Sequence, residues 1–167
     1  MIASDNARGV HHIESPAMIS LARMCNVRDI DVLIAIVSVI RPGAANGTKK
    51  TTFARRAQGL EPVEYTHPSL ATCLRSTFGF VAYEEHILQI CEAFAGLPAG
   101  RADVPRRALV KAKLATIEEI GAESVAAARA LGRNNEDITR VWELVAGFQG
   151  YDFCRAHSTA SATRSAC

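Results

Sequence analysis

The sequence predicts a mostly α protein of six or seven helices with little or no strand. Apolar residues recur at intervals of three and four along several segments, whereas strand signals are few. Serine, threonine, asparagine or aspartate stands where these segments begin, and glycine or proline where they end. The chain has 167 residues, 49% of them hydrophobic, which is enough for one domain with a buried core.

Two helices are predicted near the amino end. Ser15 can accept a backbone N–H as an N-cap, and Pro16 suits the first helical position because its missing donor would have no partner there. Asp29 is predicted to cap a second helix that runs through Ile40. The segment 41–43, Arg-Pro-Gly, ends that helix because proline disfavours its continuation.

The middle of the chain is less regular. Residues 44–66 are polar and basic and predict a long excursion with at most one short helix. A further short helix is predicted at Leu70–Ser76, with Gly79 as its stop. The segment 80–83 fits either a brief strand or a buried lead-in to a helix over Glu84–Ala95.

Three more helices are predicted towards the carboxyl end. One covers Ala99–Ala112, with Pro105 kinking or restarting it. The segment 116–119, Thr-Ile-Glu-Glu, has the form of a capping box and is predicted to begin the next helix. Asn134 or Asn135 caps the last, which should form a hairpin with the helix before it.

Bulk composition excludes several classes of protein. A net charge of +2 demands no nucleic-acid partner, so any electrostatic argument must be local. The 5 cysteines lack C-x2-C spacing and are expected to be reduced thiols rather than zinc ligands. The apolar stretch Val32–Ile40 is far shorter than the roughly 20 residues that span a membrane. We therefore expect a cytoplasmic protein.

A basic cluster with a single acid in it is the most informative group of charged residues. On a helix, a spacing of four or five aims several cations at one small target, and a triphosphate fits because arginine forks hold its oxygens. A solvated basic face would give the same spacing. The cations are Arg101, Arg106, Arg107, Lys111 and Lys113.

A second basic group contains Lys49, Lys50, Arg55 and Arg56. Such a patch suits a nucleic-acid backbone, where affinity comes from charge and counterion release. A merely soluble loop would have the same composition.

Two acidic pairs are better explained by helix starts than by metal binding. Asp29 and Asp31 look like half of a two-metal carboxylate site, but carboxylates at a helix start satisfy free N–H groups and oppose the positive end of the dipole. Glu84 and Glu85 form a first-turn acidic pair with the same explanation.

The segment 151–158 combines aromatic residues, a thiol, a cation and an imidazole. Cys154 and His157 stand three apart, but no second ligand pair or orienting acid accompanies them. We expect the aromatic residues to pack while Arg155 and His157 face a phosphate or a base.

In order along the chain, many short segments resemble the α catalytic subunit of bacterial DNA polymerase III and its error-prone relatives, which are C-family DNA polymerases. One such segment would mean little, but landmarks in register over nearly the whole chain are a specific signal. They are 9–16 (G-V-H-H-I-E-S-P), 41–43 (R-P-G), 68–70 (P-S-L), 78–79 (F-G), 83–85 (Y-E-E), 89–90 (Q-I), 95–96 (A-G), 102–103 (A-D), 106–108 (R-R-A), Lys111, and 150–151 (G-Y) through 157–158 (H-S).

The resemblance implies a multi-helix fingers module that closes over the incoming nucleotide. Arg106 and Arg107 match the family's arginine pair at the dNTP triphosphate, and Lys111 matches a lysine that follows it. The implied partners are DNA, dNTP and the palm and other domains of a parent DNA-directed DNA polymerase, which is expected to use Mg²⁺. Possible DNA or nucleotide contacts are Arg41, Lys49, Lys50, Arg155 and His157.

The chain also departs from the family pattern. Pro105 stands where such polymerases usually have leucine, and Arg155 replaces the lysine usual before the family's histidine. The catalytic aspartates of the family's palm have no match in this sequence. Because two-metal phosphoryl transfer needs such carboxylates, we expect the chain alone to be inactive and to bind no cofactor by itself.

The end of the sequence lacks the aromatic and apolar helix expected after residue 160. We expect a fingers domain over 1–160 and an irregular tail over 161–167 that buries nothing, from a truncated or frame-shifted reading frame. Two alternatives to a polymerase fragment stay open. A stand-alone nucleotide- or nucleic-acid-binding module would bind DNA in a salt-sensitive way, and a non-functional remnant would show no cooperative melting.

Overall fold

The computed structural model describes residues 15–27, 30–39, 47–98, 100, 114–147 and 155–166. These residues form helices joined by turns and contain no strand, which confirms the mostly α prediction. None of the helices in these ranges is long and apolar enough to cross a membrane. The α-helices, α1 to α8, are Pro16–Met24, Ile30–Val39, Gly47–Ala57, Ala71–Leu74, Glu84–Ala95, Leu114–Ala130, Asn135–Ala146 and Arg155–Ala166.

The starts of α1 and α7 and the end of α5 follow the capping signals in the sequence. The Met18 N–H donates to Ser15 Oγ at 3.3 Å, which confirms the predicted cap of α1. At the start of α7, the Asp137 N–H donates to Asn134 Oδ1 at 2.7 Å. Gly96 closes α5 with a φ of 67°, a left-handed conformation that glycine adopts without strain.

Between α3 and α5, residues 58–83 form only short helical segments and turns. The 3-10 turns Pro68–Leu70 and Arg75–Thr77 flank α4, so the short helix predicted at 70–76 is present but interrupted. No strand forms at residues 80–83. Buried Ala82 and Tyr83 lead into α5, which is the second of the two alternatives that the sequence allowed.

One apolar core lies between α1, α2, α3 and α8. The middle of α2 is buried from Leu33 to Ser38. Phe53 of α3 is fully buried, and its ring centroid lies 5.3 Å from that of Phe78 and 5.8 Å from that of Phe80. Since α2 is apolar on nearly every face, it has to be covered from more than one side.

A second core joins α4, α5, α6 and α7. The predicted hairpin of α6 and α7 is confirmed, and Ile138, Val141 and Val145 of α7 are buried in it. Gly121 of α6 lets the Trp142 ring approach closely, because a Cβ at that position would stand 2.6 Å from Trp142 Cζ2. Close helix packing at this point therefore depends on glycine.

Two predictions of local structure were wrong. Residues 161–167 were expected to be irregular and to bury nothing, but α8 continues to Ala166 and fully buries Ala162, so the boundary expected at residue 160 falls inside a helix. The capping box at 116–119 does not begin a helix, because α6 is already helical from Leu114. The predicted cap Asp29 and nearly all of the predicted helix Ala99–Ala112 lie outside the described residues.

The described cysteines are Cys25, Cys73 and Cys91, and all of them are free thiols. Burial raises the pKa of Cys25 and of Cys91 to about 11. These thiols are therefore protonated near neutral pH and are unreactive as nucleophiles.

Candidate functional site

Arg155, the first residue of α8, lies where α2, α5 and α8 meet. Its backbone N–H donates to Glu85 Oε2 on α5 at 3.1 Å. Its guanidinium Nη2 lies 3.7 Å from Asp31 Oδ1 on α2, and its Cζ lies 6.0 Å from the centroid of the Tyr83 ring. The side chain remains 53% exposed, so it can reach an external anion.

The Asp31 and Glu85 carboxylates differ in how strongly they stabilise the position of Arg155. Asp31 and Arg155 are both mostly exposed, and an exposed ion pair contributes about 0–1 kcal/mol. Glu85 instead accepts a backbone N–H in the first turn of a helix, where a cap contributes about 1 kcal/mol and the helix dipole favours a negative charge. The Glu85 contact therefore dominates.

A buried set of hydroxyl groups lies beneath Arg155. Ser38 Oγ lies 2.8 Å from the Ile34 carbonyl oxygen and 2.7 Å from Ser158 Oγ. A hydroxyl has one proton and a carbonyl oxygen only accepts, so Ser38 donates to the Ile34 carbonyl and accepts from the Ser158 hydroxyl. Because both serines are almost inaccessible to solvent, this contact fixes α8 on α2.

Tyr83 connects these hydroxyl groups to α5. Burial raises the pKa of its phenol, and a hydrogen bond with the Ser38 side chain and the positive charge of Arg155 offset part of that rise. Its ring meets that of His86 edge-on, with centroids 4.7 Å apart.

His86 is held neutral on the inner side of α5. The side chain is 3% exposed, and its Nδ1 accepts the Ala82 N–H at 3.2 Å. Burial, with a smaller contribution from the positive charge of Arg155, lowers the pKa of His86 to about 4. The imidazole is therefore unprotonated near neutral pH and acts here as a hydrogen-bond acceptor.

An open groove of about 590 Å³ runs from α4 along α5 to Arg155. Its charged residues are of both signs, Arg75 and Arg155 facing Glu85 and Glu92. It is lined by Thr72, Cys73, Arg75, Ser76, Tyr83, Glu85, His86, Gln89, Glu92, Ala93 and Arg155. With both signs present, the groove as a whole does not select for anions, and the exposed guanidinium groups of Arg75 and Arg155 are the parts of it that can attract one.

The structure places only part of the predicted site. Lys49 and Lys50 lie near the start of α3, exposed and half-buried, and neither lines the groove beside Arg155. His157 lies in the first turn of α8, but its side chain is outside what the structure describes. Arg41, Arg106, Arg107 and Lys111 lie outside the described residues.

Arg56, counted in the second basic group, is part of the fold. Its side chain is 12% exposed, its Nη1 donates to the Phe78 carbonyl oxygen at 3.1 Å, and its Cζ lies 5.5 Å from the Phe80 ring centroid. Arg55 and Arg56 both approach Glu61, at 3.3 and 3.5 Å. Arg56 is therefore unavailable to a nucleic-acid backbone.

The sequence did not reveal the roles of Glu85 and Asp31 beside Arg155. Each was explained as a helix-start carboxylate, and Glu85 does lie in the first turn of α5. Its contact with Arg155 spans 70 residues, so no local spacing could have indicated it.

The described residues do not fit the metal ions that two-metal transfer requires. Within them, His, Cys, Asp and Glu side chains nowhere converge in groups of three or more that could hold an ion. We therefore assign no step to a metal held by these residues.

The fold and the site define a mostly α module that presents an exposed arginine from a helix anchored in a core. The chain belongs to the family described as the bacterial DNA polymerase III alpha subunit finger domain, whose model matches residues 1–132. The resemblance noted from the short motifs is thereby confirmed.

Curated relatives extend the match into α8. The DNA polymerase III subunit alpha of Streptococcus pyogenes is 31% identical over 160 residues, which is 96% of this chain and 15% of that protein. The Helicobacter pylori subunit is 31% identical over 161 residues, 96% of this chain and 13% of that protein. A 96% span leaves out about 7 of 167 residues, fewer than the 12 that follow Arg155, so α8 begins inside the match.

Proposed function

We propose that this chain supplies nucleotide and DNA contacts for template-directed nucleotidyl transfer by a DNA polymerase. In this proposal Arg106, Arg107 and Lys111 hold the triphosphate of the incoming dNTP, and catalytic carboxylates come from the palm of a longer polymerase. Membership of the finger-domain family is the observation that carries it. The chain spans 15% or less of the curated relatives that it matches, so most of such an enzyme would lie in other domains.

The charges of this chain suit that role. Guanidinium groups bind phosphate oxygens through two parallel hydrogen bonds and neutralise charge as it redistributes during phosphoryl transfer. Arg155 adds an exposed guanidinium, and the backbone N–H of the same residue donates to Glu85. We assign it, with His157 and Arg41, to positioning the nucleotide or DNA, and Lys49 and Lys50 to the DNA backbone.

Magnesium enters the proposal only through the longer polymerase. The palm carboxylates of that polymerase would hold Mg²⁺, which would supply stabilisation of the charge that develops in the transition state. Since the described residues of this chain do not form a site for it, their part is limited to binding and orienting the substrates.

Equilibrium titration of the full chain with dNTP and with inorganic tripolyphosphate tests the triphosphate assignment. Replacing Arg106 and Arg107 together by alanine is expected to weaken the binding of both ligands by tenfold or more. Loss of charge-assisted hydrogen bonds gives an effect on this order. The matched control is Arg129→Ala with Arg140→Ala, which removes two exposed cations from α6 and α7. Equal losses in the two double variants would contradict the assignment, because they would show a bulk charge effect.

The DNA assignment is tested by salt dependence. Lys49→Ala with Lys50→Ala should reduce the slope of log K against log salt concentration by about 1 to 2, because each phosphate contact releases counterions. An unchanged slope would remove both lysines from the DNA interface.

A further inference from the structure

Glu85 is the residue that fixes the backbone of Arg155. Its Oε2 accepts the Arg155 N–H at 3.1 Å from a different helix. That N–H lies in the first turn of α8, where the helix itself provides no acceptor. A carboxylate at this position satisfies the donor and interacts favourably with the positive end of the helix dipole.

No other described contact can replace Glu85 in this role. The Asp31 carboxylate is 68% exposed and lies 3.7 Å from the flexible end of the Arg155 side chain, so it restrains little. The Tyr83 ring lies 6.0 Å from the Arg155 Cζ, at the outer limit of a cation–π contact. Ser158 fixes α8 one turn further along and does not reach the N–H of Arg155.

We propose that Glu85 is a positioning residue, which caps α8 and so holds Arg155 where its guanidinium meets a phosphate of the nucleotide or DNA. The inference rests on the proposed function of Arg155. Glu85 would not itself bind the ligand, because its negative charge repels a phosphate. A carboxylate is suited to this position because it caps the first turn of α8 at Arg155, and not because it contacts the ligand.

The sign of the effect on phosphate affinity separates positioning from simple charge. Removing a negative charge beside a phosphate site strengthens binding if charge alone matters. Loss of positioning has the opposite effect, so Glu85→Ala is expected to weaken binding of inorganic tripolyphosphate by about fivefold. Glu85→Gln keeps an oxygen that can accept the Arg155 N–H and should restore most of the wild-type affinity.

Two control variants complete the titration. Glu92→Gln removes the same charge from the same groove, about two helical turns away on α5, and should leave affinity unchanged or slightly higher. Asn134→Ala removes the cap of α7 and tests for a general effect of losing a helix cap, without touching Arg155. Affinity in Glu85→Ala equal to or above that of the wild type would overturn the proposal.

Amide hydrogen exchange in the unliganded chain tests the same contact independently of any ligand. The Arg155 amide should exchange at least about threefold faster in Glu85→Ala and near the wild-type rate in Glu85→Gln. Unchanged exchange in Glu85→Ala would overturn the role of Glu85. If wild type and Arg155→Ala bind tripolyphosphate equally well, or not at all, the function proposed for Arg155 fails, and the exchange rates still decide whether Glu85 holds α8.

Discussion

His86 makes the stability of this chain depend on pH. Burial and, to a smaller extent, the charge of Arg155 lower its pKa from 6.5 to about 4, so between these pH values the unfolded chain binds more protons than the folded one. The free energy of unfolding should therefore fall as the pH is lowered, by about 2 kcal/mol between pH 7 and pH 5. Urea denaturation at a series of pH values measures this.

His86→Gln provides the control, because glutamine does not titrate and can still offer an oxygen to the Ala82 N–H. The slope between pH 7 and pH 5 should largely disappear in this variant. A slope that persists would assign the pH dependence to other groups.

Alanine substitutions at Gly79 and Gly59 would separate the cost of backbone strain from the cost of steric crowding. Both have a positive φ, 86° and 71°, so an alanine at either position costs about 1–2 kcal/mol of strain. A Cβ at Gly79 would also stand 2.8 Å from the Glu64 carbonyl oxygen, whereas one at Gly59 meets nothing within 4 Å. Gly79→Ala should therefore be the more destabilising by at least about 1 kcal/mol, measured by chemical denaturation. Equal losses would mean that the backbone of residues 63–64 yields at no cost.

At the scale of single residues, the sequence predicted chemical types better than partners. It predicted an exposed arginine in segment 151–158, and Arg155 is exposed, while its contact with a phosphate or a base stays a prediction. It could not indicate Glu85 or Asp31 as its neighbours, because carboxylates at helix starts have a sufficient local explanation. It also counted Arg56 as a surface cation, although the Phe78 carbonyl and the Phe80 ring bury it.

At the scale of elements, the packing of α6 on α7 should reverse the usual effect of replacing a helical glycine by alanine. Replacing glycine by alanine inside a helix usually stabilises it by about 1 kcal/mol. At Gly121 the added Cβ would lie 2.6 Å from the Trp142 ring, so Gly121→Ala should instead destabilise the protein, by about 1–3 kcal/mol. Trp142 is the single tryptophan, so its fluorescence emission follows urea unfolding and measures the loss of stability.

Trp142→Phe in combination with Gly121→Ala supplies the check. The smaller ring should relieve the clash, so the double variant should lose less stability than the two single losses added together. Simple additivity would show that the two side chains do not meet.

Helix existence was predictable wherever a cap and an apolar stripe coincide. Ser15 and Asn134 are such caps, and both helices begin where the sequence indicated. The capping box at 116–119 has the right residues inside an established helix, since α6 is helical from Leu114. A local pattern cannot show that a helix has already begun, which is why this start was misplaced.

At the scale of the whole molecule, α8 was missed because it packs through small residues. Ser158 and Ala162 stand four apart on one face and are fully buried, but neither contributes to a hydrophobic periodicity. Their size lets α8 approach α2 closely enough for the contact of 2.7 Å between Ser38 and Ser158. The available signal was α2 itself, whose continuous apolar run required cover on a further side.

If α8 completes the first core, then a charge on its inner face should destabilise the whole fold. Ala162 is fully buried against that core, whereas Ala160 on the same helix is exposed. Ala162→Glu would bury an unpaired carboxylate and should cost about 3 kcal/mol or more, while Ala160→Glu should change stability by no more than about 0.5 kcal/mol.

Chemical denaturation of the two variants, which have identical composition, measures the difference directly. A single cooperative transition shifted to lower denaturant in Ala162→Glu alone would show that α2 and α8 unfold as one unit with the rest of the first core. Equal stability of the two variants would mean that α8 does not dock on α2, and the anchoring of Arg155 would then have to come from Glu85 alone.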